Sequence, residues 1–194
     1  MTEYNYMPDD YIPDEALRET TVKENIVFSG KIITVRNDDA LLSNGKPCRR
    51  EVVGHPGGAV VAALTEENEL LFVRQFRYPY GELVLELPAG KLDPGEDPLC
   101  ACRRELLEET GAAAGLYKSL GRFYPSPGYC GEVIYMYLAR ELTFTAPKPD
   151  EDEFLQVSRI PLDEAVRMVL AGEIPDGKTQ AAVLKVKMMM ADQF

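Results

Sequence analysis

Three acidic side chains lie close together in the segment "RRELLEETG" and have the chemistry to bind a metal ion. If this segment is helical, Glu105 shares a face with Glu108 and Glu109, because residues three and four apart are neighbours on a helix. Carboxylate oxygens that converge on one point are the ligands that Mg²⁺ and Mn²⁺ prefer. The alternative is a solvated acidic face on an acidic protein. These three residues alone leave both interpretations open.

The helix that carries these acids is predicted by its ends as well as by its apolar spacing. Asp97 is a good N-cap, Pro98 suits the first helical position, and Gly111 fits the residue just past the end. The acids therefore fall within about two turns of the carboxyl end, where the helix macrodipole is negative. Each like-charge pair there costs roughly 0.2–0.5 kcal/mol, so the pattern needs an explanation.

The composition of the chain bounds its class and its partners. A length of 194 residues with 45% hydrophobic content predicts one ordinary globular domain. The net charge of −11 argues against a protein that binds nucleic acid or anionic membranes, for which a basic patch is expected. The acidic start "MTEYNYMPDD" does not read as a secretion signal, and no apolar run is long enough to span a bilayer. We therefore expect a cytoplasmic protein.

The sequence gives little support for a cysteine or histidine metal site, or for a glycine-rich phosphate-binding loop. The four cysteines form no CxxC pair, so free thiols are favoured over zinc or disulfides. His55 is the only histidine, which excludes a histidine-rich metal centre. There is no GxxxxGK[ST] loop and no GxGxxG after a strand. Phosphate chemistry, if present, must depend on metal.

The remaining chain reads as strands with helices near the end. An acidic leader to about Lys23 is expected to be an arm or partly disordered. Strands are predicted over 26–35 and 48–54, with a hairpin turn at Asn44-Gly45. The stretches "AVVAALT" and "ELLFVRQF" predict a second hairpin, and "GELVLELPAG" predicts a strand that leads into the acidic helix.

Further strands are expected in "SLGRFYPSPG" and "EVIYMYLARELTF", and helices in "PLDEAVRMVLAGEI" and "KTQAAVLKVKMMM". Strands around a central helix, with one or two helices at the end, predict an α+β layered domain.

The acidic helix and the loop before it carry residues that resemble the Nudix box, GX5EX7REUXEEXGU. The matching positions are Gly90, Glu96, Arg104, Glu105, Leu106, Glu108, Glu109 and Gly111, and only the last apolar position, Ala112, is modest. The stretches "VRQFRYP", "ELPAG", "YPSPG" and "PDEDEF" look like the ADP-ribose pyrophosphatase branch of that family, over roughly residues 26–190. Pro127 lies where that branch carries its proline.

The resemblance implies a Nudix fold, in which mixed β-sheets are sandwiched between helices (α/β/α), with an amino-terminal extension of antiparallel strands. It implies an arm and β-hairpin region over residues 1–56, which forms a homodimer, and a hydrolase domain over residues 57–194. The apolar groups of the leader and first hairpin are more than a short arm can bury alone. They include Tyr4, Tyr6, Tyr11, Ile12 and Phe28.

The activity implied is the Mg²⁺-dependent hydrolysis of ADP-ribose or a related ADP-sugar to AMP and a sugar phosphate, with Mn²⁺ as a substitute ion. By resemblance, Glu105 and Glu109 are the main metal ligands together with the Ala89 carbonyl, and Glu108 is a further ligand. Arg104 belongs with Glu105 and Glu109 to the catalytic set, where it and Glu96 orient the glutamates.

Several residues match positions that contact the substrate in this branch. Arg77 and Arg50 match arginines whose guanidinium groups suit phosphate oxygens. Arg49 is the alternative to Arg50. Alternation along a strand puts the two on opposite faces, so at most one of them is expected to point inward. Glu86 matches a glutamate near the sugar or the metals.

The rest of the implied pocket is less well defined. Phe28 lies where the amino-terminal region of such enzymes stacks on adenine, but the alternative, a core position, is favoured for it. Pro127 and Gly128 complete the implied substrate pocket. Outside the box, Glu153 matches a glutamate that enters the active site and acts as the general base, with Glu151 as the alternative. Without the resemblance, both would read as a solvated charged loop.

Two other functions stay open at this point. The same chemistry on another nucleoside diphosphate derivative, such as a different nucleotide sugar or an oxidised nucleotide, fits the same box. A Nudix fold that only binds a ligand and regulates a partner is the other, and a degenerate box would favour it. The box here is intact, which favours an enzyme.

Overall fold

The protein is described by a computed structural model that covers residues 12–146 and 154–191. It divides into two compact units. One comprises the described residues up to His55 together with Gly128–Gly131, and the other comprises Pro56–Pro127 with the described residues from Glu132 onward.

The amino-terminal unit is a four-stranded antiparallel sheet with a one-turn helix, α1 (Asp14–Leu17). Its strands are β1 (Thr20–Lys23), β2 (Ile26–Ser29), β3 (Thr34–Leu41) and β4 (Pro47–Gly54). β4 fills one edge of β3, and β1 and β2 share the other. The hairpin turn at Gly45 is as predicted, with φ +78°.

Two expectations for this unit need correction. The predicted strand over 26–35 is two strands, because the chain reverses between Gly30 and Ile33, where the Gly30 N–H donates to the Ile33 carbonyl at 2.9 Å. β1 lies inside the stretch expected to be a leader, and it is held there by pairing with β3.

The second unit contains two sheets and three helices. Its elements are β5 (Gly58–Ala63), β6 (Glu69–Arg77), β7 (Glu82–Glu86), β8 (Ala89–Lys91), α2 (Pro98–Thr110), β9 (Ala112–Phe123), β10 (Ile134–Phe144), β11 (Leu155–Pro161), α3 (Leu162–Leu170) and α4 (Gly177–Ala191). A mixed sheet has the order β8-β5-β10-β9, in which β5 and β10 are parallel, and an antiparallel sheet has the order β11-β6-β7.

The predicted second hairpin is wrong, because β5 and β6 belong to different sheets. A tight turn joins them, with the Thr65 N–H donating to the Glu69 carbonyl at 2.9 Å, but only an isolated bridge between Leu64 and Leu70 follows. Every residue of β5 is buried. Such a strand needs partners at both edges and cover on both faces, and β8 and β10 supply the edges.

The core of this unit lies on the two faces of β5. Val60 and Ala62 point into one cluster with residues of α3 and α4, while Val61 and Ala63 point into another with residues of α2. Helices therefore cover both faces of the mixed sheet, and the α+β prediction is confirmed. None of the helices in the described residues combines the length and the apolar character that crossing a bilayer requires.

Candidate active site

Helix α2 begins and ends where its sequence predicts. The Asp97 carboxylate accepts from the Leu99 N–H at 2.9 Å and from the Cys100 N–H at 3.3 Å. Gly111 adopts the left-handed conformation at φ +69° and donates its N–H to the Leu107 carbonyl. These caps fix both the length of the helix and the face on which its glutamates lie.

Two of the three acids on that helix are buried rather than solvated. Glu105 is 8% exposed and Glu109 is 1% exposed. The Ala89 N–H of β8 donates to Glu109 Oε2 at 3.1 Å. A Cβ built on Gly90 would lie 1.8 Å from Glu105 Oε1, so only glycine lets the backbone of β8 approach this carboxylate. The interpretation as a solvated acidic face is therefore wrong for Glu105 and Glu109.

Arg104 joins the glutamates to the loop before the helix. It holds Glu96 through two hydrogen bonds, Nε to Oε1 at 3.1 Å and Nη2 to Oε2 at 3.0 Å. Its Nη1 donates to Glu105 Oε1 at 2.7 Å and to Glu108 Oε2 at 3.2 Å. The hydrogen bond from Arg104 and a second from the Asp93 N–H hold the pKa of Glu96 below its usual value. Arg104 therefore contacts three carboxylates, those of Glu96, Glu105 and Glu108.

The oxygen atoms at this site are of the chemical kind that a hard divalent cation binds. Glu105, Glu108 and Glu109 offer carboxylates, and Ala89, the neighbour of Gly90 in β8, offers a main-chain carbonyl. Within residues 12–146 and 154–191, no three Asp, Glu, His or Cys side chains are arranged to hold a metal ion together. Arg104 instead lies between Glu105 and Glu108 and supplies positive charge there.

A second ionic cluster lies in the same unit, around Glu86. Arg77 donates from Nε to Glu86 Oε1 at 2.6 Å and from Nη2 to Oε2 at 2.7 Å. Lys178 of α4 also donates to Oε2, and its Nζ lies 2.9 Å from Asp176 Oδ1. Burial raises the pKa of Glu86, which is 2% exposed, but the hydrogen bond from Arg77 and the charge of Lys178 outweigh burial and leave the pKa lowered. Glu86 is therefore an ionised partner of two cations.

Lys178 and Asp176 were not found from the sequence. The only local signal was "PDGK" before a helical pattern, which predicts Asp176 as an N-cap but not the pairing of Lys178 with a residue far away in the chain.

The other candidate residues are distributed as follows. Phe28, Arg50 and Gly128 belong to the amino-terminal unit, and Pro127 belongs to the second. Arg50 pairs with Glu19, with 2.8 Å between Nε and Oε2, and Arg49 pairs with Asp39 at 3.2 Å. Phe28 is 53% exposed, so the core alternative for it is wrong within this chain. Glu151 and Glu153 lie outside the described residues, and so do Tyr4, Tyr6 and Tyr11.

Comparisons with known proteins agree on one family. A model of the NUDIX domain matches residues 54–182. The chain is 40% identical to the ADP-ribose pyrophosphatase of Bacillus subtilis (strain 168), covering 92% of this chain and 98% of that one. It is also 40% identical to a methanol dehydrogenase activator of Bacillus methanolicus, covering 89% of this chain and 95% of that one.

Among solved structures, the crystal structure of an "ADP compounds hydrolase" superposes with a TM-score of 0.79 at 23% identity, covering 91% of this chain and 96% of that one. That likeness shows the fold, and the domain match and the relatives show the descent. The chain belongs to the Nudix family.

Proposed function

We propose that this Nudix hydrolase cleaves the pyrophosphate of ADP-ribose or a related ADP-sugar, giving AMP and a sugar phosphate. Hydrolysis of a pyrophosphate bond follows from the family, and the ADP-sugar is the proposed substrate. The observation that carries the proposal is the pair of buried carboxylates, Glu105 and Glu109, packed against β8 within an intact box. The similarity to an ADP-ribose pyrophosphatase over 92% of the chain supports the choice of substrate.

Nudix hydrolases need divalent metal ions, and we propose Mg²⁺ here, with Mn²⁺ as a substitute. Glu105, Glu109 and the Ala89 carbonyl would hold the ion, with Glu108 as a further ligand. When bound, such an ion neutralises the pyrophosphate, orients water and stabilises the charge that develops in the transition state. The part of Arg104 is to hold Glu105 and Glu108 in place, since one of its nitrogens contacts both.

Arg77 is the proposed contact to the phosphate oxygens. Its pair with Glu86 uses Nε and Nη2, which leaves Nη1 on the other edge of the guanidinium. A guanidinium fixed in this way can present a donor to an anion without losing side-chain entropy on binding. Arg50 or Arg49, Phe28, Pro127 and Gly128 stay proposed substrate contacts by resemblance.

The general base is proposed to be Glu153, with Glu151 as the alternative. A carboxylate near the attacking water accepts its proton, which is worth roughly 10²–10⁴ in rate. Glu153→Gln and Glu151→Gln are therefore compared by kcat and by Mg²⁺ titration. Glu153→Gln is expected to lose kcat without losing metal affinity, and near-normal kcat in both variants would refute the assignment.

A panel of substrates tests the function as a whole. ADP-ribose, ADP-glucose, GDP-mannose and an oxidised nucleoside triphosphate are each incubated with Mg²⁺ and with chelator, and the products are separated by ion-exchange chromatography. The proposal expects AMP from the ADP-sugars with Mg²⁺ only. Faster cleavage of another compound would favour the same chemistry on a different substrate.

A regulatory role is the second candidate, because a relative of equal identity is named as the activator of a dehydrogenase. Absence of hydrolysis across the whole panel would favour it over the enzyme.

We also propose that the amino-terminal region, residues 1–56, forms a homodimer and that residues 57–194 form the hydrolase domain. Apolar side chains of β1, β2 and the turn after β2 are 50–67% exposed, which is unusual for so short a stretch of sheet. They are Val22, Ile26, Val27, Phe28 and Ile32. All four cysteines are free thiols, in keeping with a proposed location in the cytoplasm.

A further inference from the structure

Lys178 is a lysine whose surroundings differ from those of the surface lysines on the same helix. Its side chain is 12% exposed, and its ammonium group lies between two carboxylates, Glu86 and Asp176. By contrast, Lys187 pairs at the surface with Asp163. Burying an ammonium group is costly unless it is paired, so the position of Lys178 is specified by those two acids.

Asp176 fixes Lys178 to the start of α4. Its Oδ2 accepts the Thr179 N–H at 3.0 Å, as an N-cap does, and its Oδ1 contacts Lys178 at 2.9 Å. The next residue, Thr179, accepts the Leu87 N–H through its hydroxyl at 2.9 Å. The beginning of α4 is thereby bound to the connection between β7 and β8.

The same connection reaches the glutamates of the box. Leu87 is bound by α4 through Thr179, and Ala89, two residues later, donates to Glu109 of α2. A series of ion pairs runs beside this connection. Asp176 pairs with Lys178, Lys178 with Glu86, and Glu86 with Arg77, so the charges alternate in sign. Glu86 is held by Lys178 on one side and holds Arg77 on the other.

We propose that Lys178 is a positioning residue for substrate binding: it fixes the Glu86 carboxylate, and Glu86 in turn fixes the guanidinium of Arg77 that meets the pyrophosphate. This inference rests on the proposed function, in which Arg77 contacts the substrate. Without Lys178, Glu86 keeps Arg77 as its partner but loses the second cation that determines where its carboxylate lies. Arg77 then samples more orientations in the free enzyme. The affinity for substrate falls, because binding must restrict Arg77 to one of them.

The test begins with three variants and the wild type. Lys178→Met removes the charge at similar volume, Lys178→Arg keeps a cation, and Lys187→Met removes a surface lysine and its ion pair from the same helix as a control. Because Arg77 binds substrate in the ground state and the transition state alike, Lys178→Met is expected to raise KM for ADP-ribose about tenfold with kcat within about threefold. Lys178→Arg is expected to recover most of this loss, and Lys187→Met to behave as wild type.

A double-mutant cycle separates positioning from stability. If Lys178 acts through Arg77, Lys178→Met adds nothing to the KM of Arg77→Ala, whereas a purely structural role leaves the tenfold effect in both backgrounds. If Lys178→Met does not fold, Asp176→Asn takes its place, since asparagine is also a good N-cap but lacks the charge that holds Lys178. An unchanged KM in the single variant, or an undiminished effect in the Arg77→Ala background, would overturn the inference.

The same cycle is measured as the Kd for ADP-ribose by titration calorimetry, which needs no turnover. A wild type that binds ADP-ribose without cleaving it refutes the proposed function while the cycle still decides the role of Lys178. A wild type that neither binds nor cleaves it refutes both.

Discussion

Glu105 and Glu109 are separated by one helical turn and are both buried, which sets them apart from glutamates on an ordinary amphipathic surface. A buried carboxylate is tolerated where cations or N–H donors surround it. Arg104 donates a hydrogen bond to Glu105, and the Ala89 N–H donates one to Glu109. The burial shows that these two acids belong to the packing of α2 on β8, and the proposed catalytic use is a reason for acids at these two positions.

Glu109→Gln tests that use directly. The amide oxygen can still accept the Ala89 N–H, so we expect the fold to be kept, while a proposed metal ligand loses its charge. We expect kcat to fall by about two orders of magnitude or more. Without metal, the melting temperature should be equal or higher, because one negative charge leaves the carboxyl end of the helix. Steady-state kinetics and thermal unfolding are compared with those of Glu66→Gln, an exposed control, and a fully active Glu109→Gln would contradict the site.

At the scale of elements, the site depends on how closely β8 and α2 approach each other. The approach is possible because residue 90 has no side chain. The caps at Asp97 and Gly111 determine where α2 begins and ends. A methyl group at residue 90 would overlap the Glu105 carboxylate, since 1.8 Å is far inside van der Waals contact.

Gly90→Ala is therefore expected to displace Glu105 or β8 and to lower both the melting temperature and kcat. Steric overlap of this kind typically costs about 1–3 kcal/mol of stability. Gly131→Ala is the matched control, because the nearest atom to its new Cβ is the Val53 carbonyl oxygen at 3.5 Å, an ordinary contact. Wild-type activity and stability in Gly90→Ala would show that β8 and α2 are not packed as described.

Local signals predicted the elements better than their pairing. Asp97, Pro98 and Gly111 determine α2 from within the helix itself, so its ends were predictable from the sequence. β5 and β6 were assigned to a hairpin because a short turn joins them, yet the apolar run of β5 already required partners on both edges. Pairing with β10, far along the chain, cannot be inferred from the turn chemistry near residue 65.

In the candidate site, too, residues within local patterns were predictable and contacts between distant segments were not. The box glutamates, Arg77 and Glu86 were identified because they belong to stretches with a family pattern, and their roles stay proposals. Lys178 was missed because its partner, Glu86, is 92 residues away, and nothing in the spacing of "GKTQAAV" distinguishes a buried lysine from a solvated one.

At the scale of the whole molecule, the exposed apolar strands of the amino-terminal unit support the proposed homodimer. We expect the full chain to sediment as a dimer and a variant lacking residues 1–22 to dissociate and lose activity. Ile26→Lys is expected to weaken the dimer, because it places a charge where an apolar contact is proposed. Leu170→Lys, on a residue of α3 that is 76% exposed against 67% for Ile26, is the control. A monomeric full chain with full activity would refute the proposal.

Arginine-paired carboxylates also determine how the molecule responds to acid. The pKa values of Glu19, Glu96, Glu164 and Glu173 are lowered chiefly by hydrogen bonds from arginine, and that of Glu86 is lowered against the effect of burial. A carboxyl group whose pKa is lower in the folded state contributes stability that is fully present above its unfolded value, 4.5, and is lost as the pH falls through the folded value.

We therefore expect the urea midpoint to fall as the pH is lowered below about 4.5, and to fall less steeply in Glu86→Gln. Urea unfolding between pH 3 and 7 checks this in both proteins. A midpoint that rises on acidification, or an identical slope in the variant, would contradict the sign of these shifts.

The separation of Glu86 from Lys178 also has a consequence in time. Arg77 is nine residues from Glu86, but Lys178 is 92 residues away, as is Thr179 from Leu87. Ribosomes add about 5–20 residues per second, so roughly 5–20 seconds of translation separate the two ends of these contacts. From the completion of α2 until α4 is made, a nascent chain has the box helix and one cation for Glu86, but not α4, which helps to cover the other face of β5. We expect hydrolysis to begin only after α4 has been made and has docked.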